Sequence, residues 1–598
     1  MQSRSDDGRI TFREWHPVGV EEYGYVAPDP LNPDIVYGGK VSRYNRKTGE
    51  VVQVGPRAGR AGDYRTIRTQ PVLFSPIDPK TMYFASNTLW KTTTGGNGWS
   101  QISPDLTRKT WDVPPNVGKF RNTTAARVSQ RGVIYTIAPS YSDINRIWIG
   151  TDDGLIHVTA DAGKTWKDVT PRDLKPWAKV SMMDASHTNP LGAYAAINTF
   201  RLDDLRPHIY RTQDGGKIWK PIVNGLPAGA IVNTVKEDPK RKGLLFAGTE
   251  TQVYVSFDDG ERWESLRVNM PATSIRDLVI KDDDLVVGTH GRGFWILDDI
   301  TPLRQMKSDS VEEDTVLLKP QMATRVEWNR NTDTPLPPDE PAGENPPDGA
   351  IIHYFLKQPA TGPVSIEILD TAANTVRRYA SDDKPVEIRD EGNVPSYWIR
   401  PSPIVSAAAG LHRFVWDLHY PAAPGAQSYP IAATPRNTAA EPKGPWIPPG
   451  TYTVKLSVSG KGYTQPLIVR MDPRMKVAPI ALQQQFTLSK RLYDAMLRIQ
   501  DVLPKATEAR DRAQAAGHPD LAQKLSSLAG AGTVGRGRGR GAALSSQPSL
   551  TTIAGELGAL YSLSQDGSGL PPPQTVTAAE DALKRYNGVM AQLTPLLR

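Results

Sequence analysis

Three carboxylates stand where an acid–base pair for glycan hydrolysis could be assembled. Asp152 and Asp153 lie in Gly150-Thr-Asp-Asp-Gly154, and Glu250 lies in Gly248-Thr-Glu-Thr-Gln252. Glycoside hydrolysis needs one carboxyl to protonate the leaving oxygen and a second to act as base or nucleophile. Their separation decides between retention and inversion, and sequence does not give it. Residues able to hold a sugar accompany them: Asn87, Trp111, and the pair His290 and Arg292 in Gly288-Thr-His-Gly-Arg-Gly-Phe-Trp295. Ordinary roles compete with each of these. Asp-Asp-Gly is a common turn, and His290 and Arg292 flank a glycine, which suits hydrogen bonding better than catalysis. Asp203 and Asp204 occupy a long loop, and Asp184 could end a strand. No metal-ligand spacing, phosphate loop or nucleophile elbow is present, so no metal or cofactor is expected.

These residues depend on a repeated scaffold. Thr159-Ala-Asp161-Ala-Gly163-Lys-Thr-Trp166 recurs as Thr212-Gln-Asp214-Gly-Gly216-Lys-Ile-Trp219 and as Ser256-Phe-Asp258-Asp-Gly260-Glu-Arg-Trp263. Thr92 to Trp99 is a degenerate copy with Thr94 in the Asp position. The pattern is Ser/Thr-x-Asp-x-Gly-x-x-Trp. The Asp accepts backbone N–H groups in a tight turn, the Gly takes positive φ, and the Trp opens the next strand and buries its ring between sheets. Between the copies run strands ending in small residues, at Val36–Gly39, Tyr83–Ser86, Trp148–Thr151, Phe246–Thr249 and Val286–Thr289, with a looser copy at Tyr194–Ile197. A period of about 45 residues is that of a four-stranded propeller blade. The expected fold is mainly β: a propeller of six to seven four-stranded blades over 21–325. Residues 1–20 read as a strand remnant of a preceding or closing blade.

Strand alternation then fixes two ends. The repeated turns join third to fourth strands. The loops carrying Asn87, Asp152, Asp153, Glu250, His290 and Arg292 join second to third strands, so they lie at the opposite end. The long link Ser103–Arg127, with Trp111, could cover it. Loops on a rigid scaffold are where function concentrates, and the repeated turns are read as structural.

Residues 326–349 are proline-rich and read as a linker, preceded by an outer propeller strand near Thr315–Pro320. Residues 350–474 alternate with period two, as at Tyr452, Val454, Leu456 and Val458, and are expected to form an immunoglobulin-like sandwich. From 475 onward the period becomes helical. Leu488, Leu492, Ala495, Ile499 and Val502 form one stripe, and Ala579, Leu583, Tyr586, Met590 and Leu593 form another. Thr577 to Glu580 is expected as the capping box of the last helix, with a middle helix near Thr551–Ser564. The run Gly535–Gly541 carries three arginines without aromatic residues and reads as a solvated loop.

The chain has 598 residues, enough for about four domains, a net charge of +7 and no cysteine. Disulfides and thiolate metal sites are excluded. The mild charge is no nucleic-acid footprint, and no apolar run reaches the roughly 18 residues of a membrane span. The first residues carry no signal-peptide core, and strands are expected to precede Ser5–Trp15.

The repeat resembles the Asp-box, or BNR repeat, of sialidases, sortilin-type receptors and xyloglucanases. Tyr23–Pro30 (YGYVAPDP), Asn32–Gly39 (NPDIVYGG), Val72–Pro79 (VLFSPIDP), Leu89–Gly96 (LWKTTTGG), Ser103–Arg108 (SPDLTR) and Gly288–Asp299 (GTHGRGFWILDD) extend the resemblance to large bacterial BNR-repeat, glycosyl hydrolase or sortilin-like proteins. The resemblance implies a secreted or periplasmic protein with an additional N-terminal propeller in the full-length chain. No sialidase arginine triad or Tyr/Glu nucleophile pair stands out, which argues against sialidase activity. Two functions follow as expectations: a carbohydrate-active propeller that hydrolyses or binds a polysaccharide, or a sortilin-like propeller that holds an extracellular peptide without catalysis.

Overall fold

The computed structural model describes residues 5, 9–20, 24–56, 63–109, 130–306, 313–327, 340–385, 388, 395–423, 443–530 and 548–597. Trp111, the core of the proline-rich stretch and the Gly535–Gly541 run lie outside them. Two compact units are present, one of residues 13–308 and one of residues 2–12 with 309–598.

The first unit is a succession of antiparallel sheets, each with its strands in sequence order. Five have four strands and the sixth has three among the described residues. The third sheet is representative: Ile134–Pro139, Ile147–Thr151, Ile156–Thr159 and Lys167–Asp168. First strands follow one another: Ile134–Pro139 packs against Lys179–Ala185, which packs against Val232–Glu237, which packs against Ile275–Lys281. Tyr25, ahead of the first sheet, packs against the core of the first two sheets and against that of the fourth and fifth. The Trp15 ring lies 5.6 Å from that of Phe294 in the last sheet. These are the blades of a β-propeller, and the small-residue pairs fall on second strands as expected. Gly248 shows why they are small: a Cβ there would lie 2.6 Å from Ile275 of the next sheet.

The repeated turns join third to fourth strands. Asp161 Oδ1 accepts from the Thr165 amide (2.9 Å) and from Thr159 Oγ1 (2.8 Å). Asp258 Oδ1 accepts from the Arg262 amide (2.9 Å) and Ser256 Oγ (2.8 Å). Asp214 Oδ1 accepts from the Lys217 and Ile218 amides. In the degenerate copy Thr94 Oγ1 takes the same place, accepting from Gly98. The tryptophans face the preceding sheet. The indole N–H groups of Trp99, Trp166, Trp219 and Trp263 donate to the carbonyls of Val54, Ile102, Val169 and Ile222 at 2.6, 2.9, 2.7 and 2.8 Å. Gly260 has φ +86°, and a Cβ on it would stand 2.5 Å from Ile222.

In the second unit two sheets share one apolar core. One is Thr315–Leu317, Ala350–Leu356 and Gly410–Trp416. The other runs Ala323–Arg325, Lys461–Met471, Gly450–Val458, Val364–Leu369 and Thr375–Ala380. Helices Pro479–Ala515, Pro519–Ala529, Leu550–Gln565 and Pro573–Leu593 bury the expected stripes in a core of their own. Arg325 is fully buried where sheet and helices meet. It donates to the Ile447 carbonyl (3.2 Å) and Ser568 (3.1 Å), and it lies over the Trp446 ring.

Three sequence expectations are corrected. The propeller unit ends at Ser308 rather than 325, because Thr315–Leu317 and Ala323–Arg325 pair with Ala350–Leu356 and Lys461–Met471. Among the described residues of 1–20 there is no blade strand: Arg9–Ile10 pairs with Gly343–Glu344, inside the expected linker, and belongs to the second unit. The capping box falls at Ser549 and Thr552; the last helix starts at Pro573, and the Thr577 hydroxyl donates to the Pro573 carbonyl within it.

The contact between sheets can be separated from backbone strain. Gly260 and Gly291 both have φ near +90°, but a Cβ on Gly291 meets nothing within 4 Å. Gly291→Ala should cost about 1 to 2 kcal/mol from the left-handed backbone alone. Gly260→Ala should cost clearly more, through Ile222. Trp263→Phe, which leaves the Ile222 carbonyl without its donor, should cost about 1 to 3 kcal/mol. Urea denaturation of the three variants checks this, and equal losses at Gly260 and Gly291 would contradict the account.

Candidate functional site

The end opposite the repeated turns is built from second-to-third-strand loops and the starts of first strands. Asp152 follows the strand Ile147–Thr151, and Glu250 follows Leu245–Thr249. Both remain half-exposed. Asp152 Oδ1 accepts from the Val133 amide at 2.8 Å. Glu250 Oε1 accepts from Asn233 Nδ2 (3.0 Å) and Arg276 (3.3 Å). Asn233 in turn donates to the Ile275 carbonyl and accepts from Asn198 at 2.7 Å. Arg276 also reaches His290 Nδ1 at 3.2 Å.

Lys179, first residue of its strand, ties the two carboxylates into one electrostatic group. Its ammonium sits 4.6 Å above the Tyr135 ring. It is influenced by Arg201, Arg276, Asp152 and Glu250 together. Arg201, in the short turn Phe200–Leu202, donates to the Asp152 and Trp177 carbonyls and stacks on the Trp177 ring. Burial and the two neighbouring guanidiniums bring Lys179 down to about 8.

The two carboxylates titrate in opposite directions. Burial pushes Asp152 up to about 6, against the Val133 amide and the Arg201 charge. Burial alone would also raise Glu250, but the Asn233 hydrogen bond and the Arg276 guanidinium hold it below the usual carboxylate range. Two carboxyls held apart in this way can serve as an acid and a base at one pH.

The other expected residues divide. Asp153 is buried. Its carboxylate accepts from Thr151 Oγ1 (2.6 Å) and the Arg108 amide (2.9 Å), so it braces the turn and meets no ligand. Asn87 is buried too. Its amide donates to the Asp63 carbonyl and Asp105 and accepts from the Arg65 amide, leaving nothing for a substrate. His290 and Arg292 are exposed on the last sheet's loop, His290 within the Arg276–Glu250 group. Asp204 is held low by the Arg206 guanidinium. It lies with Asp173, Tyr210 and Leu226 on a cavity of about 520 Å³.

Lys179, Arg201, Asn233 and Arg276 have no motif of their own. The available signal for Lys179, Asn233 and Arg276 was a polar residue at the start of an expected first strand, where apolar residues would suffice for packing; Arg201 lies in a turn and gave none. The other end also carries polar residues besides the repeated turns. Asp184 accepts from the Glu237 amide (2.9 Å) and Tyr141 (3.4 Å) and lies 3.5 Å from Lys236; His187 stacks on Tyr141. Among the described residues no group of His, Asp or Glu is arranged to hold a metal.

No family model and no curated protein matches the chain. Among solved structures the chain is similar to a GH74 enzyme of Niastella koreensis, at 15% identity over 55% of this chain and 50% of that one, with a TM-score of 0.33. It is also similar to the GH74 xyloglucanase of Xanthomonas campestris, at 15% identity over 74% and 72% of the two chains (TM-score 0.34). A third is YCF48 bound to D1 peptide, at 12% identity over 49% and 84% (TM-score 0.32). This chain thus spans half the length of the first.

The raised Asp152 predicts a pH-dependent stability. Folded Asp152 holds its proton up to about 6, against 3.8 for an unperturbed Asp, so it binds protons more tightly folded than unfolded. Its contribution therefore weakens folding as pH rises through that window and is constant above it. The wild type should lose up to about 3 kcal/mol relative to Asp152→Asn between pH 4 and pH 7. Parallel denaturation curves of the two proteins across that range would contradict the assignment.

Proposed function

We propose that this chain is a carbohydrate-active propeller that binds a polysaccharide at the end opposite the repeated turns and hydrolyses it. One observation carries the reading: Asp152 and Glu250, on loops of two different sheets, act on one lysine and are held on opposite sides of the ordinary carboxylate range. Asp152 keeps a proton to deliver to the glycosidic oxygen. Glu250 stays ionised, as water activation or attack on the anomeric carbon requires. Asn233 and Arg276 fix its orientation. The Asp-box character of the repeat and work outside the cytoplasm belong to the same proposal.

Release of reducing ends from a panel of plant, algal and bacterial polysaccharides tests it. Asp152→Asn and Glu250→Gln should each lower kcat by about 100-fold or more, with melting temperatures within a few degrees of the wild type. Activity should fall as pH rises above about 6, where Asp152 loses its proton. Silence of the wild type on the whole panel, or variants as active as the wild type, would defeat hydrolysis.

A further inference from the structure

Lys179 is a cation of this site that pairs directly with no carboxylate among the described residues. Lys179, Arg201 and Arg276 stand together with Asp152 and Glu250. Glu250 is already engaged by Arg276, and Arg201 turns its guanidinium to the backbone carbonyls of Asp152 and Trp177. The Lys179 ammonium makes no hydrogen bond or ion pair among the described residues; its near neighbour is the Tyr135 ring. An ammonium half-withdrawn from water without a directly bonded partner is costly, and proteins retain such groups where a ligand supplies that partner. If Asp152 is the acid it is neutral when the reaction starts, which leaves Glu250, engaged by Arg276, and Asp153, engaged in its own turn, as the carboxylates near the three cations.

We propose that Lys179, flanked by Arg201 and Arg276, binds an anionic substituent of the sugar, a carboxylate or a sulfate ester, so that the substrate is an acidic glycan. This rests on the carbohydrate reading above and narrows it. Lys179 is first in its strand, paired in register with Asn198, and Asn198 donates to Asn233, which holds Glu250. The anion would thus be bound on the framework that orients the proposed base. The Tyr135 ring beneath the ammonium offers a surface for the sugar's apolar face.

The test compares the full chain's binding to matched oligosaccharides by calorimetry: galacturonate and mannuronate oligomers against their carboxyl-reduced forms, and a sulfated galactan against its desulfated form. The wild type should bind at least one acidic member about tenfold or more tightly than its neutral counterpart. Which pair shows it identifies the anion. Lys179→Met should reduce that preference about tenfold, and Lys179→Arg should restore part of it. Circular dichroism of each variant confirms the fold. A wild type that binds neutral and acidic members alike overturns this inference while leaving the carbohydrate reading intact. Binding to none of them overturns both. Preference for a peptide with a free C-terminal carboxylate over every glycan would assign the ammonium to peptide capture and overturn the inference too. Retention of the full preference in Lys179→Met would remove Lys179 from the subsite.

Discussion

One hydrogen bond recurs between the sheets of the propeller unit, and much of the unit depends on it. A tryptophan indole at the end of each repeated turn donates to a carbonyl just beyond the outer strand of the preceding sheet. The glycine three residues earlier removes the Cβ that would keep the two sheets apart. The carboxylate of the repeat closes the turn and aims the ring. Each part is a local device worth about 1 kcal/mol. The repetition turns it into a fixed spacing and orientation between successive sheets. A formula that looks like a binding motif is therefore an assembly joint, and by strand alternation the second-to-third-strand loops lie at the other end.

That other end is freer to vary because the repeated tryptophan joint does not lie there. The third sheet uses its loop for a braced turn through Asp153, while the adjacent Asp152 remains half-exposed. The fifth sheet puts Glu250 at the equivalent place, held by groups from neighbouring strands. The same position in the second sheet, Asn87, is consumed in holding the chain near Asp63 and Arg65. Equivalent loops thus supply struts in Asn87 and Asp153 and half-exposed carboxylates in Asp152 and Glu250. What separates them is which neighbours satisfy the polar group.

This explains what was legible in the sequence. The repeat, the small-residue pairs and the helical stripes are local or periodic, so residue identity and spacing sufficed. Asp152 and Glu250 could be placed at one end because alternation is a rule of topology. Asp153 could not be told from Asp152, because Arg108, the donor that occupies it, is distant in sequence. Lys179 and Arg276 were invisible for a related reason. Each lies at the start of a strand that reads as an ordinary buried run, and their meaning comes from their mutual influence across sheets that are distant in sequence. The domain boundary failed similarly: Ala323–Arg325 pairs in parallel with a strand near residue 470, and sequence proximity to the propeller misassigned it.

The charged end also sets a condition on the scaffold. A raised Asp152 and a half-buried lysine without a directly bonded partner both oppose folding, by amounts comparable to a substantial part of a domain's net stability. Groups of this kind persist only where the surrounding backbone cannot relax to relieve them. The propeller meets that condition because the first strands carrying Lys179, Asn233 and Arg276 are packed against one another in turn. They are also backed by sheets locked through the tryptophan joints. A lone hairpin bearing the same residues would splay, and its lysine would turn to water. The rigidity of the structural end is thus what lets the opposite end hold Asp152, Glu250 and Lys179 in their places.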